Sequence, residues 1–307
     1  MDYLKIFSPA TVANVSCGFD SLGFAVDNIG DEMTFVKTPH QRVEITNITG
    51  ADLTYDVDKN AASAVVQKML QEANADFGIN LTIHKGFSPG SGLGSSAASA
   101  AGAAFGANKL LGNIYNNIEL TKFAMFGEEV ACGSPIADNV AAAIYGGFVL
   151  IKSYEPLDII KLPVPNELRV VAIHPQIEVK TKDARDVLPK NIPLKDAVTQ
   201  WANVGGLISG LHTNDYKLIS NSLVDIIVEP HRKNLIPFFD DVKEAAKKAG
   251  ALGAGISGSG PTIFALCKGD EIAKNVYNAV EKSYRNKGID FELFISKINH
   301  EGIKILE

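Results

Sequence analysis

The sequence predicts two α+β domains, and three observations carry that reading. The chain has 307 residues, long enough for about two domains with a sizeable core in each. Strand-like alternation and helix-like periodicity are intermixed without a regular strand–helix–strand repeat, which argues against one doubly wound sheet. Pro156, Pro163 and Pro165 cluster where the composition shifts. They put a domain boundary near residue 160, dividing the chain into 1–160 and 161–307.

From the N-terminus, Tyr3 to Phe35 reads as short strands around a loop, Ser8 to Asp20. Arg42 to Ile48 alternates as a strand, and a helix from about Asn60 places Ala64, Val65, Met69 and Leu70 on one face. Leu81 to His84 is a strand; the glycine-rich run Gly86 to Ser96 follows it and leads into an alanine-rich helix that stops near Gly112. A further helix spans about Asn117 to Glu128. The next has Ser134 placed as its N-cap and Pro135 as its first residue, and the Gly146-Gly147 pair ends it. Phe148 to Ile151 and Arg169 to Ile173 read as strands, and helices are expected at Leu194–Leu211, Asp215–Val228 and Phe238–Ala249. The tail reads strand (Thr262–Leu266), helix (Glu271–Lys287), strand (Phe291–Ile298).

Composition excludes several classes. The apolar fraction of 46% and charged fraction of 21% are those of an ordinary globular chain. A net charge of -6 gives no basic footprint for nucleic acid. No run approaches the ~18 apolar residues of a membrane span, and Met1-Asp2-Tyr3-Leu4-Lys5 does not read as a signal peptide. Cys17, Cys132 and Cys267 are too scattered for a disulfide framework or a metal spacing. A cytoplasmic enzyme or binding protein is expected.

The chemistry centres on Gly86 to Ser96. A strand, a glycine loop and a helix in that order bring unpaired helix N–H groups and the positive end of the macrodipole to a loop a ligand can approach closely. That is an anion site, and the usual anion is a phosphate. A tight turn with Ser95 or Ser96 capping a buried helix stays open beside it. No G-x-x-x-x-G-K-[ST] occurs, which excludes a P-loop. Gly253 to Gly258 matches G-x-G-x-x-G but is expected to follow a helix and precede a strand, the reverse of a dinucleotide fingerprint. Gly255 to Pro261 instead offers a second glycine-serine loop, placed to close against the first or serve as a long turn.

Glu128 and Glu129 fall at an expected helix end, where the macrodipole disfavours carboxylates. A divalent cation beside one of them would reverse that penalty, with Ser95 or Ser96 as a second ligand. Glu129 is read as a solvated surface group. Arg185 and Arg232 lie in polar loops; each could grip a carboxylate with its planar fork or form an ordinary surface ion pair.

Three stretches together resemble the GHMP kinases. Pro9 to Asp20 resembles their first motif, Ser88 to Ala98 their ATP loop and Gly253 to Thr262 their third motif, in the family's order across nearly the whole chain. Within that family the first motif is similar to that of the homoserine kinases. So are Ala137-Asp138-Asn139-Val140-Ala141, Thr181 with Ala184-Arg185 and Leu188-Pro189, and Glu229-Pro230 with Arg232. The resemblance implies a first domain like ribosomal protein S5 domain 2, a ferredoxin-like second domain, and a homodimer. It also implies transfer of the γ-phosphoryl group of ATP to the side-chain hydroxyl of L-homoserine, in threonine biosynthesis.

The resemblance also assigns residues. Asn14 and Asp20 would face the ammonium and hydroxyl end of the substrate, and Arg185 and Arg232 its carboxylate. Asn139 would lie near the reacting hydroxyl, with Thr181 close by. Ser96 and Glu128 would ligate Mg²⁺. The ATP loop is Ser88, Pro89, Gly90, Ser91, Gly92, Leu93, Gly94, Ser95, Ser96, Ala97 and Ala98, with no lysine of its own. Charge neutralisation is therefore expected from backbone N–H groups, the helix end and Mg²⁺. Asn139 stands where relatives with an aspartate base carry it, and an amide cannot accept a proton, so no strong side-chain base is expected. The family often has histidine where this chain has Ile136. The alternatives are another small-molecule kinase of the family, acting on mevalonate, shikimate or a sugar, and a catalytically silent binding protein.

Overall fold

A computed structural model describes every residue except Met1 and Asn286. The first half contains β1 (Tyr3–Ala13), β2 (Leu22–Thr38), β3 (Val43–Thr49), α1 (Ala61–Glu72) and β4 (Gly78–His84), then α2 (Ser95–Leu110), α3 (Asn117–Cys132), α4 (Ala137–Tyr145), β5 (Phe148–Tyr154) and β6 (Leu157–Leu162). The second contains β7 (Leu168–Pro175), α5 (Thr181–Asp186), α6 (Leu194–Thr213), α7 (Tyr216–Ser222), α8 (Glu229–Arg232) and a 3₁₀ turn (Lys233–Leu235). It ends with α9 (Phe239–Lys248), β8 (Gly253–Ile256), β9 (Ile263–Lys268), α10 (Gly269–Tyr284), β10 (Phe291–Lys297) and β11 (Lys304–Ile305). No helix among the described residues is long and apolar enough to cross a membrane.

The fold is α+β, with two sheets. The larger runs β11-β1-β2-β4-β3, with β5 pairing the start of β2 and β6 pairing β5. Among the described residues only β3 and β4 pair in parallel there. β2 is long enough to serve two neighbours, Leu22–Phe24 facing β5 and Glu32–Thr38 facing β4. The smaller sheet is antiparallel, in the order β10-β7-β9-β8. The tail strand β11 returns to the larger sheet, and the chain passes between sheets after Leu162.

The alanine-rich α2 is a central helix with thirteen buried residues, because small side chains let it lie close to its neighbours. A Cβ on Gly102 would stand 2.7 Å from the Met33 sulfur of β2. Its apolar face joins Leu4, Ile6, Phe35, Val65 and Ile83 in one core. A second core bridges the sheets: the rings of Phe24 and Phe148 lie 4.7 Å apart, and Phe24 meets Phe264 of β9 edge-on at 6.1 Å. Aromatic pairs in these geometries add to area burial. The third core packs α9 and α10 on the small sheet through Val242, Ala246, Val276 and Val280.

The structure redraws several expected boundaries. The first two strands are long and joined by the loop from Asn14 to Ser21. In that loop Asn14, Val15 and Ser16 have φ of 68°, 40° and 61°, three consecutive left-handed residues, costly for a β-branched valine. The helix expected to start at Pro135 starts at Ala137, with Ile136 at its N-cap and no side chain capping it from that position. The helix expected over Asp215–Val228 stops at Ser222. Asp225 then accepts from the backbone N–H groups of Ile227, Val228 and Glu229, satisfying the donors that open α8. Gly253–Ile256 forms β8, so the second glycine loop joins two antiparallel strands instead of following a helix. The last expected helix ends at Tyr284, and part of that expectation, Asn286, lies outside the described residues.

Candidate active site

The loop after β4 turns three times through left-handed glycines: Gly90, Gly92 and Gly94 have φ of 73°, 82° and 70°. Gly94 is the N-cap of α2, and no side chain caps the helix there. Neither Ser95 nor Ser96 plays the capping role. The first-turn N–H groups keep their anion-binding capacity. The Ser95 hydroxyl is buried without a partner.

The two glycine loops lock together. Ser257 Oγ donates to the Gly92 carbonyl and Thr262 Oγ1 to the Ser91 carbonyl, both at 2.6 Å. A Cβ on Gly92 would stand 2.7 Å from the Gly260 carbonyl oxygen, so this close approach needs glycine. The Asn14 amide fastens the first motif to the same corner: Nδ2 donates to the Gly258 carbonyl at 2.7 Å and Oδ1 accepts from the Asp20 N–H at 3.0 Å.

These segments line one pocket of about 370 Å³. Asn14, Asp20, Ser96, Glu128, Asn139, Thr181, Arg185 and Arg232 all border it, though they span most of the sequence. Of the expected ATP loop, Pro89, Gly90, Gly92, Gly94, Ser95 and Ser96 border it too, while Ser88, Ser91, Leu93, Ala97 and Ala98 do not. Leu93, Ala97 and Ala98 face the cores. Ile136 borders the pocket where the family often has histidine.

Arg232 is only 3% exposed. Its Nε donates to the Ala184 carbonyl at 2.8 Å and its Nη1 to the Gly258 carbonyl at 2.9 Å. Arg185 instead donates from Nη2 to both Asp20 oxygens. Phe19 serves both guanidinium groups, with Arg232 4.9 Å and Arg185 5.6 Å from the ring centre. Burial, with repulsion from Arg185, pulls the Arg232 guanidinium down to about 10.

Glu128 corrects a sequence expectation. α3 continues to Cys132, so Glu128 lies one turn inside the helix, not at its end. The residue is 7% exposed, and Oε1 is buried with no partner. Burial pushes its carboxyl up to about 7, against the opposing pull of the Ser96 hydroxyl and the Lys85 ammonium. Glu129 is exposed, as expected. Among the described residues there is no group of three or more His, Cys, Asp and Glu able to cage a metal. An orphaned carboxylate beside a hydroxyl fits a hard cation that takes its remaining oxygens from phosphates and water.

Several site residues escaped the sequence reading. Lys85 borders the pocket under the first turn of α2, where its ammonium donates to Asp31, to the Ser95 carbonyl at 2.8 Å and to Ser99 Oγ at 2.9 Å. The glycine loop therefore has a lysine at its base, one already neutralised by Asp31. Burial pushes Asp31 up and Lys85 down, each offset in part by the other's charge. Asp138 is 2% exposed and accepts from the Asn139 N–H at 2.8 Å. Burial and then Asp20 push its carboxyl up to about 7. Thr11 donates to the Asn139 amide oxygen. Tyr154 donates to the Asp20 carbonyl at 3.0 Å, and its oxygen accepts weakly from Ala137 N–H at 3.4 Å. Polar side chains inside apolar strands were the available signal for Thr11 and Asp31; their partners are not visible locally.

A GHMP kinase N-terminal domain model matches residues 60–147, and a GHMP kinase C-terminal model matches 207–286, together more than half of the chain. The chain is 46% identical to a homoserine kinase from Chlorobium phaeobacteroides strain BS1, covering 98% of each. The chain belongs to the homoserine kinases of the GHMP family. A homoserine kinase of Methanococcus maripaludis strain S2 is 40% identical, over 91% of this chain and 93% of that one. The crystal structure of a homoserine kinase from Cytophaga hutchinsonii superposes with a TM-score of 0.96 at 51% identity, covering 100% of this chain and 98% of that one. The pocket of this GHMP kinase is thus bordered by both glycine loops, by Arg185 and Arg232, and by the carboxylates of Asp20, Glu128 and Asp138.

Proposed function

We propose that the chain transfers the γ-phosphoryl group of ATP to the side-chain hydroxyl of L-homoserine, giving O-phospho-L-homoserine. The observation that carries this is the convergence of Asp20, Arg185 and Arg232 on one wall of the pocket that the glycine loop borders. An α-amino acid needs an anionic partner for its ammonium and a cationic clamp for its carboxylate, and this wall supplies both. The homoserine kinase relatives support the same substrate.

The chain's own residues divide the work. The loop from Pro89 to Ser95 cradles the ATP phosphates with backbone N–H groups and the N-terminus of α2. Arg185 and Arg232 take the substrate carboxylate, and Asp20 its ammonium. Asn139, its amide oxygen held by Thr11, turns its NH₂ to the reacting hydroxyl, and Thr181 at the start of α5 closes that end. An amide donor orients the hydroxyl oxygen and cannot take its proton. Alignment and charge neutralisation then carry the rate, as is general for phosphoryl transfer. Ser96 and Glu128 would hold Mg²⁺, which when bound supplies positive charge to the phosphates.

The same reading includes a cytoplasmic homodimer with functional units at 1–160 and 161–307, supported by the family resemblance; the sheets divide at a neighbouring point, after Leu162. The deciding experiment is ADP release with Mg²⁺ and ATP against a panel of L-homoserine, mevalonate, shikimate and hexoses. Turnover with L-homoserine is expected. Turnover with another alcohol and none with L-homoserine overturns the assignment.

A further inference from the structure

Asp20 and Arg185 hold one another across the wall on which the substrate is expected. Arg185 Nη2 donates to Asp20 Oδ1 at 2.9 Å and to Oδ2 at 3.0 Å, and each side chain is one-third exposed. Two features show that the contact is not a closed structural bridge. Arg185 Nε is buried and has no partner, so the guanidinium keeps a donor in reserve. The Asp20 backbone is pinned: its N–H donates to Asn14, its carbonyl accepts from Tyr154, and its φ is 54°. The carboxylate can swing away while its backbone stays where it is.

The pair is partly withdrawn from water, so removing one partner leaves the other's charge incompletely hydrated and uncompensated, at a smaller cost than in a fully buried pair. A ligand bearing only a carboxylate must draw Arg185 from Asp20 and leave Asp20 unmatched. A ligand bearing only an ammonium leaves Arg185 unmatched. A ligand with both charges on one carbon replaces each half of the pair and leaves nothing unmatched. We propose that the Asp20–Arg185 pair is a specificity determinant, opening only by double exchange with an α-ammonium and an α-carboxylate and so rejecting singly charged alcohols. This rests on the homoserine reading above.

The test is calorimetric titration of the full chain with L-homoserine, with 4-hydroxybutanoate, which lacks the ammonium, and with 3-aminopropan-1-ol, which lacks the carboxylate. Asp20→Asn should weaken L-homoserine about ten-fold and tighten 4-hydroxybutanoate about ten-fold, because Arg185 is set free. Arg185→Gln should weaken L-homoserine and tighten 3-aminopropan-1-ol by a similar factor. Either variant carries the test if the other fails to fold, as judged by circular dichroism. If the native chain phosphorylates L-homoserine and the folded variants gain nothing for their singly charged ligands, the exchange is wrong and the kinase reading stands. If the native chain phosphorylates a different alcohol and not L-homoserine, both fall.

Discussion

Thr11 Oγ1 donates to Asn139 Oδ1 at 2.7 Å, joining β1 to the first turn of α4 across 128 residues of sequence. Thr11 is fully buried. The bond determines which end of the Asn139 amide faces the pocket. Thr11→Val keeps the shape and removes the donor. One neutral hydrogen bond is worth ~1 kcal/mol, so kcat with L-homoserine should fall several-fold while the KM for ATP stays put. Unchanged kcat in steady-state assays would remove Asn139 orientation from the mechanism.

The Asp138 carboxyl titrates near 7 in the folded chain against an ordinary value of 3.8. Between those values the folded chain holds a proton that the unfolded chain has lost, so this group's contribution to stability falls as pH rises from about 4 to about 7. Asp138→Asn keeps an acceptor for the Asn139 N–H and removes that dependence. In urea unfolding the variant should be stabilised relative to wild type at pH 8, by on the order of 4 kcal/mol at most, with little difference near pH 4. An equal difference at both pH values would contradict the shift.

Asp31 and Lys85 form a buried ion pair under the glycine loop, satisfied further by Ser99 and the Ser95 carbonyl. Lys85→Met alone should cost about 3–5 kcal/mol, because it strands the Asp31 charge. The double variant Asp31→Leu, Lys85→Met should recover part of that loss in chemical denaturation. If the double variant is as unstable as the sum of the two single variants, the pair is not acting as a coupled unit.

Gly92 and Gly133 separate backbone strain from crowding. Both have positive φ, 82° and 73°, but only Gly92 faces a neighbour, the Gly260 carbonyl oxygen. Gly133→Ala should cost about 1 kcal/mol of stability and leave kinetics alone. Gly92→Ala should cost more and raise the KM for ATP, because the two glycine loops must separate. Equal effects on thermal unfolding and kinetics would show that the loops yield freely.

Glu128 carries a buried oxygen without a partner, and Ser96 lies beside it. Glu128→Gln should raise the Mg²⁺ concentration for half-maximal activity by about ten- to a hundred-fold, the range of a charged hydrogen bond. It should also raise Tm without nucleotide, since a buried charge is gone. Unchanged Mg²⁺ dependence would release Glu128 from the cation.

What could be read from the chain alone was local or carried by pattern. The Gly86–Ser96 loop and the helix it opens follow from glycine conformation and helix periodicity, which act within a few residues, and three motifs in order pointed to the family. Local signals were weaker at helix ends. Pro135 did not start α4, and the expected Asp215–Val228 helix stops at Ser222, beyond which Asp225 opens a separate helix through bonds to backbone two to four residues on. Glu128 came out of the sequence for a partly wrong reason: its carboxyl is perturbed by burial in the fold more than by a helix terminus.

Strand register and tertiary packing settled the rest. Nothing near Asp20 in the sequence announces Arg185, nothing near Thr11 announces Asn139, and nothing near Asp31 announces Lys85. Each pair is separated by 54 to 165 residues: Asp31 meets Lys85 through the register of β2 on β4, Thr11 meets Asn139 because α4 packs on β1, and Asp20 meets Arg185 where α5 reaches the loop after β1. Hydrogen bonds and ion pairs of this range depend on positions good to a few tenths of an ångström. Residue type can suggest a partner chemistry, but tertiary packing supplies that precision.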